Sequence, residues 1–151
     1  IVLFLDFDGV LHPLGCRPEK QFQNAIRLQR IIEQFPNVIV IISSSWVVNS
    51  TLSELQEYFP ESIRKHIVGM IDQNRLKRSD DIKEWLAKQT FCRYYPWIAI
   101  DDSALFEDDS PVVWCDPRIG WTDETTKVLE EALRSPHEYK QHWLDKPREW
   151  L

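Results

Sequence analysis

The chain has 151 residues, 43% of them hydrophobic and 28% charged, with a formal net charge of −6. A domain of this size buries roughly two-thirds of its unfolded surface, and seven Trp and seven Phe argue against a disordered chain. The acidic balance leaves no basic footprint for duplex nucleic acid, and no apolar run approaches the roughly 20 residues that span a bilayer.

Residues 1–5 form a short apolar run, which predicts a strand buried on both faces. Residues 20–35 place Phe22, Ile26, Ile31 and Phe35 near helical spacing, and Pro36 and Asn37 end that helix. The β-branched run 38–42, VIVII, predicts a second buried strand. Residues 51–59 open with Thr51 and Glu54 at capping-box spacing and suit a short helix. Residues 66–70 suit a short edge strand. The stretch 79–89 predicts a helix with Ser79 as N-cap, two acids in its first turn and Ile82, Trp85 and Leu86 on one face. Two strand-length runs follow at 97–100 and 112–115, then a capped amphipathic helix at 122–133. The tail, 136–151, places Tyr139, Trp143 and Leu144 near helical spacing and predicts a last helix packed on a catalytic domain of residues 1–135.

Strands alternating with helices predict an α/β fold, a doubly wound, mostly parallel sheet of about five strands. In such folds ligands bind beyond the carboxyl ends of the strands, near the point where the strand order reverses. The predicted strand ends are chemically rich. The first ends in Asp6-Phe7-Asp8-Gly9, the second in Ser43-Ser44-Ser45, and the run 97–100 in Asp101-Asp102. Lys77 and Arg78 stand just before the 79–89 helix.

Carboxylates, hydroxyls and a cation at one sheet edge suit phosphoryl transfer. Asp6 can serve as nucleophile and form an aspartyl-phosphate. A divalent ion must then separate two anions, and Mg²⁺ is satisfied by a few protein oxygens. Asp6, Asp101 and the backbone carbonyl of Asp8 supply them, with Asp102 assisting. The Asp8 side chain serves as general acid and then general base. Ser43 or Ser44 holds phosphoryl oxygens, and Lys77 or Arg78 balances their charge. Ser43 is the first hydroxyl after its strand, whereas counting back from Trp46 selects Ser44.

The segments FLDFDGVL, VIVIISSSW, KRSDDIKEWL and IAIDDS, in this order, resemble the four motifs of the haloacid dehalogenase (HAD) superfamily. The likeness covers roughly residues 1–133. It is nearest to a small HAD group linked to nucleic-acid repair proteins and to bacterial phosphatases of unknown substrate. The resemblance implies Mg²⁺-dependent phosphatase chemistry with Asp6 as nucleophile and Asp8 as acid/base. Dehalogenase members generally lack the second aspartate. A lysine is usual at the basic position, which selects Lys77, while alignment on RSDDI selects Arg78. Neither interval that carries a cap in this superfamily leaves room for one here, so the site should be open. The substrate is then a phosphorylated small molecule or a macromolecular end. Net charge does not support a nucleic acid, although a strand end is compatible with it.

Three scattered cysteines without C-x-x-C spacing, and first residues that read as a strand rather than a signal peptide, lead to the expectation of a cytoplasmic protein. Glu107, Asp108 and Asp109 read as a solvated loop, the alternative being a second acidic metal patch. His12 lies where a substrate could touch it, or in a surface turn beside Pro13. Two rival functions remain at this stage: a non-catalytic phosphate-binding or interaction module on the same fold, and a polynucleotide-end phosphatase.

Overall fold

Five parallel strands carry the fold in the order β3-β2-β1-β4-β5. They are β1 (Val2–Leu5), β2 (Ile39–Ile42), β3 (Ile67–Met70), β4 (Trp97–Asp101) and β5 (Val112–Trp114). The helices are α1 (Ala25–Gln34), α2 (Leu52–Gln56), α3 (Arg78–Ala87) and α4 (Asp123–Arg134). The structure is a computed structural model and describes residues 1–72 and 77–139.

Period-two alternation divides the core between the two faces of the sheet. Leu3, Leu5, Val40, Ile42, Ile98 and Ile100 face the buried sides of α1 and α4. Val2, Phe4, Ile41, Ala99 and Val112 face Ile82 and Leu86 of α3. Both faces are covered, which is why these strands read as continuous apolar runs. Gly69 leaves room for this packing, since a Cβ there would lie 3.1 Å from Ile41 and 3.4 Å from Trp85.

The chain steps from β1 outward to β2 and β3, then crosses back to place β4 on the other side of β1. The strand order therefore reverses at β1. Leu5 is paired with both Ile42 and Ile100, so the next residues, Asp6, Ser43 and Asp101, emerge at one level. Among the described residues no cap domain interrupts this arrangement. Between β2 and α3 the described residues form only 3₁₀ turns, α2 and the edge strand β3.

Three local expectations change. α1 begins at Ala25 rather than at residue 20, because Phe22 has a positive φ of 60° and the Asn24 side chain donates to the Val10 carbonyl at 3.1 Å. Its buried face is Ala25, Leu28, Ile31 and Ile32, while Ile26 is exposed. α2 is shorter than 51–59, although Thr51 and Glu54 do form the capping box. The N-cap of α3 lies two residues earlier than expected, at Lys77. Ser79 is instead buried in the first turn, where its hydroxyl accepts from the Glu107 backbone N–H at 3.1 Å. The expected tail helix falls mainly on residues 140–151, Trp143 and Leu144 included, which lie outside the described residues. Ahead of them, the Tyr139 hydroxyl donates to the Val112 carbonyl at 2.8 Å.

Candidate active site

Two neighbouring strands, β1 and β4, end in a cluster of carboxylates. Asp6, Asp101 and Asp102 each offer an oxygen, and these atoms lie within 4.8 Å of one another. Asp6 and Asp101 are almost fully buried. Asp102 reaches the cluster because the neighbouring residue is Gly9. A Cβ on Gly9 would lie 2.2 Å from an Asp102 carboxylate oxygen, and the φ of +79° at Gly9 suits glycine alone. Phe7, between the two aspartates of the first motif, points into the core and packs against Phe22, Trp46 and Phe59. That anchor fixes the backbone carrying Asp6 and Asp8.

Arg78 is the cation of the site. As the first residue of α3 it sends its guanidinium across the strand ends, donating to Asp101 Oδ2 at 3.1 Å and to the Ser43 carbonyl at 3.2 Å. The same nitrogen lies 3.8 Å from Asp6 Oδ2. Lys77, one residue earlier, is exposed and does not join this cluster.

The two serines also separate. Ser44 is fully buried, and its hydroxyl accepts from the Trp46 backbone N–H at 3.3 Å, capping the 3₁₀ turn Ser45–Asn49. Ser43 is equally buried, but its Oγ has no hydrogen-bond partner among the described protein atoms. Buried hydroxyls are seldom left so. Ser43 follows β2 at the level of Asp6 and its backbone carbonyl receives Arg78, while Ser45 rather than Ser43 lines the neighbouring cavity.

Asp8 stands apart from the three-carboxylate cluster. Its Oδ1 is 2.7 Å from His12 Nε2, and its Oδ2 accepts from the Trp46 indole N–H at 3.0 Å. Asp6, Asp8, Ser45, Arg78 and Asp102 line one cavity of about 300 Å³ with Leu14, Ser103, Ala104 and Leu105. Leu14 and Leu105 are half exposed and form an apolar rim. Neither gave a signal in the sequence, since a single leucine in a loop has no periodic context. Ser45 and Ser103 sit within motifs already singled out, so adjacency to those motifs was the available clue.

Burial and mutual repulsion make the carboxylates of the cluster hard to ionise together. Burial, and then repulsion from Asp101, push the Asp6 carboxyl well above the usual carboxylate range, with Arg78 opposing. Burial likewise pushes Asp101 up to about 6, against the pull of Arg78 and the Ser103 backbone N–H. Three acidic oxygens with one guanidinium are short of positive charge. A hard divalent ion fits this donor set, since Mg²⁺ takes carboxylate oxygens at about 2.1 Å and keeps several waters. Among the described residues this is the group of three such side chains close enough to share an ion. The acidic stretch at Glu107 does not form a second one; Glu107 pairs with Lys83 at 2.9 Å on the surface.

The described residues contain no helix long and apolar enough to cross a membrane. The three cysteines are free thiols. The family described as the HAD domain in Swiss Army Knife RNA repair proteins matches residues 2–126. No curated protein and no solved structure matches the chain. The four motifs, the all-parallel sheet and the family match over most of the chain agree: this chain belongs to the HAD family found in Swiss Army Knife RNA repair proteins.

Proposed function

We propose that the chain is a Mg²⁺-dependent phosphoric monoester hydrolase that works through an aspartyl-phosphate on Asp6. The observation that carries this reading is the meeting of Asp6, Asp101 and Asp102 with Arg78 at the sheet edge, in the cavity that Asp8 also lines.

Asp6, Asp101 and Asp102 would hold the ion, which neutralises charge on the phosphoryl oxygens and on the carboxylates themselves. Ser43 Oγ and the Arg78 guanidinium bind the phosphoryl oxygens. An Asp6 oxygen attacks phosphorus, the ester P–O bond breaks, and Asp8 delivers a proton to the leaving oxygen. Asp8, now ionised, takes a proton from water as that water attacks phosphorus. The P–O bond to Asp6 breaks, releasing inorganic phosphate and restoring both carboxyl groups. Burial of Asp6 and the core anchor at Phe7 hold the nucleophile in one place, which reduces the entropic part of the barrier.

The substrate class favoured is a phosphorylated nucleic-acid end. Membership in a family named for RNA repair proteins supports it. So does an open site whose rim, Leu14 and Leu105, offers apolar contact to the sugar or base of one terminal nucleotide. The net charge of −6 sets a limit: the chain suits a strand end held at one site better than a long duplex tract.

The test is one Mg²⁺-containing panel of 5′- and 3′-phosphorylated RNA and DNA oligonucleotides, phosphopeptides, small phosphorylated metabolites and an aryl phosphate. Hydrolysis of the oligonucleotide ends above the other classes is expected, and Asp6→Asn should abolish it without loss of fold. Turnover that survives Asp6→Asn would remove the mechanism. A wild-type protein that binds phosphorylated ends but turns over no member of the panel would instead identify a non-catalytic binding module.

A further inference from the structure

His12 is 1% exposed, so its ring is not in a surface turn. The Phe22 backbone N–H donates to its Nδ1 at 3.1 Å. A backbone N–H can only donate, so Nδ1 must present a lone pair and the ring proton must reside on Nε2. That proton points at Asp8 Oδ1, 2.7 Å away. The other Asp8 oxygen receives the Trp46 indole N–H at 3.0 Å. Both oxygens of one carboxylate are thus held by neutral donors from two separate segments, and each oxygen keeps a lone-pair site for a proton or a substrate atom.

The residue that sets the His12 tautomer is itself strained. Phe22, with φ of +60°, is the non-glycine residue of positive φ among those described. A bulky side chain in that region is strained and persists only where its surroundings fix it. Here they do. The Phe22 ring stacks on Tyr58 at 4.3 Å and meets Trp46, Phe7 and His12 edge-on, each at 5.1–5.2 Å. The strained backbone turns the Phe22 N–H toward the imidazole, and the same ring packs against the tryptophan that grips Asp8 from the other side.

We propose that His12 is a positioning residue. In its Nε2–H form, set by the Phe22 backbone, it works with Trp46 to fix the Asp8 carboxylate at the mouth of the site. This rests on the reading of Asp8 as general acid/base. The expected signature is a loss in kcat with KM little changed, because His12 does not line the cavity and acts only through Asp8.

Two variants separate positioning from packing. His12→Asn keeps an acceptor near the Nδ1 position for Phe22 but has no donor that reaches Asp8. His12→Gln keeps a donor near the Nε2 position. With the oligonucleotide substrate, His12→Asn should lower kcat by about 10- to 100-fold with KM within about twofold, and His12→Gln should recover most of it. A second readout does not depend on turnover. In ¹⁵N NMR the wild-type His12 ring should be the Nε2–H tautomer. The Trp46 indole N–H should exchange with solvent faster in His12→Asn and near the wild-type rate in His12→Gln. A wild-type Nδ1–H tautomer overturns the proposal, and so does an indole exchange rate that ignores His12→Asn. So, in an active enzyme, does a His12→Asn variant with wild-type kcat. If the wild type has no turnover at all, the phosphatase reading fails, and the NMR arm alone decides whether His12 and Trp46 hold Asp8.

Discussion

Arg78 donates to Asp101 at 3.1 Å although the two residues belong to different elements, the first turn of α3 and the end of β4. Asp101 is buried and Arg78 only partly so, and the same guanidinium also faces Asp6. A cation in the first turn of a helix opposes the helix dipole, so its placement there is repaid by the carboxylates it faces rather than by helix stability.

Removing Arg78 should therefore cost more than removing its neighbour. Arg78→Ala leaves two buried carboxylates without their counter-charge and should destabilise the metal-free protein by about 3 kcal/mol. Lys77→Ala, at an exposed position, should stay within about 0.5 kcal/mol of wild type. Urea titration in the presence of a chelator measures both. Equal losses in the two variants would mean that Arg78 is not the buried partner.

The two serines should also part company. Ser44→Ala loses the cap of the Ser45–Asn49 turn and should cost up to about 1 kcal/mol. Ser43→Ala deletes a hydroxyl with no protein partner and should leave stability at or above wild type. Its kcat/KM should nevertheless fall by about 100-fold, the scale of a lost donor to transition-state charge. Thermal unfolding and steady-state kinetics on the same samples check the pair, and a Ser43→Ala enzyme of full activity would remove Ser43 from the phosphate site.

Stability should depend on pH in a direction opposite to that of a protein held by ion pairs. Asp101 is raised to about 6 in the fold, and Asp6 is raised as well. Between the ordinary carboxylate value and about 6 the folded state then binds more protons than the unfolded chain, so stability falls as pH rises through that window. With chelator present, the melting temperature at pH 5 should exceed that at pH 7.5. The carboxylates held below their usual range by partners, Asp116 by Arg118, Asp123 by Arg27, Glu54 by Thr51 and Glu107 by Lys83, act mainly at lower pH and lie at the surface. Saturating Mg²⁺ should raise the melting temperature more at pH 7.5 than at pH 5, since ion and protons compete for the same oxygens. A chelated protein that gains stability from pH 5 to 7.5 would contradict the charge balance described for the site.

Gly9 offers a steric test of the same cluster. Gly9→Ala places a methyl group against the Asp102 carboxylate and forces a side chain into positive φ. The backbone term alone is about 1–3 kcal/mol. Displacement of Asp102 should also shrink the Mg²⁺-induced rise in melting temperature. An unchanged metal response would show that Asp102 is not a ligand.

Much of this architecture is legible locally. VIVII can hardly be anything but a doubly covered strand, and Thr51 with Glu54 marks the start of α2 within four residues. The first-motif aspartates stand out because charge interrupts an apolar run. What the sequence leaves open depends on contacts between distant segments. Ser43 and Ser44 are equivalent as letters. The pairing of β2 with β1 puts one beside Asp6 and turns the other into a cap. Ser79 looks like an N-cap until Glu107, 28 residues on, takes its hydroxyl. His12 meets Asp8 only four residues away, but its tautomer is set by the backbone of a residue ten positions on.

The shared level of Leu5, Ile42 and Ile100 makes the three strands behave as rulers cut to one length. Side chains in a strand alternate faces, so a deletion of one residue within β1, β2 or β4 would not merely shift a functional group by about 3.3 Å; it would turn that group to the opposite side of the sheet. Loops between the rulers can lengthen at little cost, because closure entropy grows slowly with loop length. Substrate preference in this fold is thus free to drift through insertions around Leu14 and Leu105, while the spacing of the chemistry is tied to the same strand lengths that let the core close.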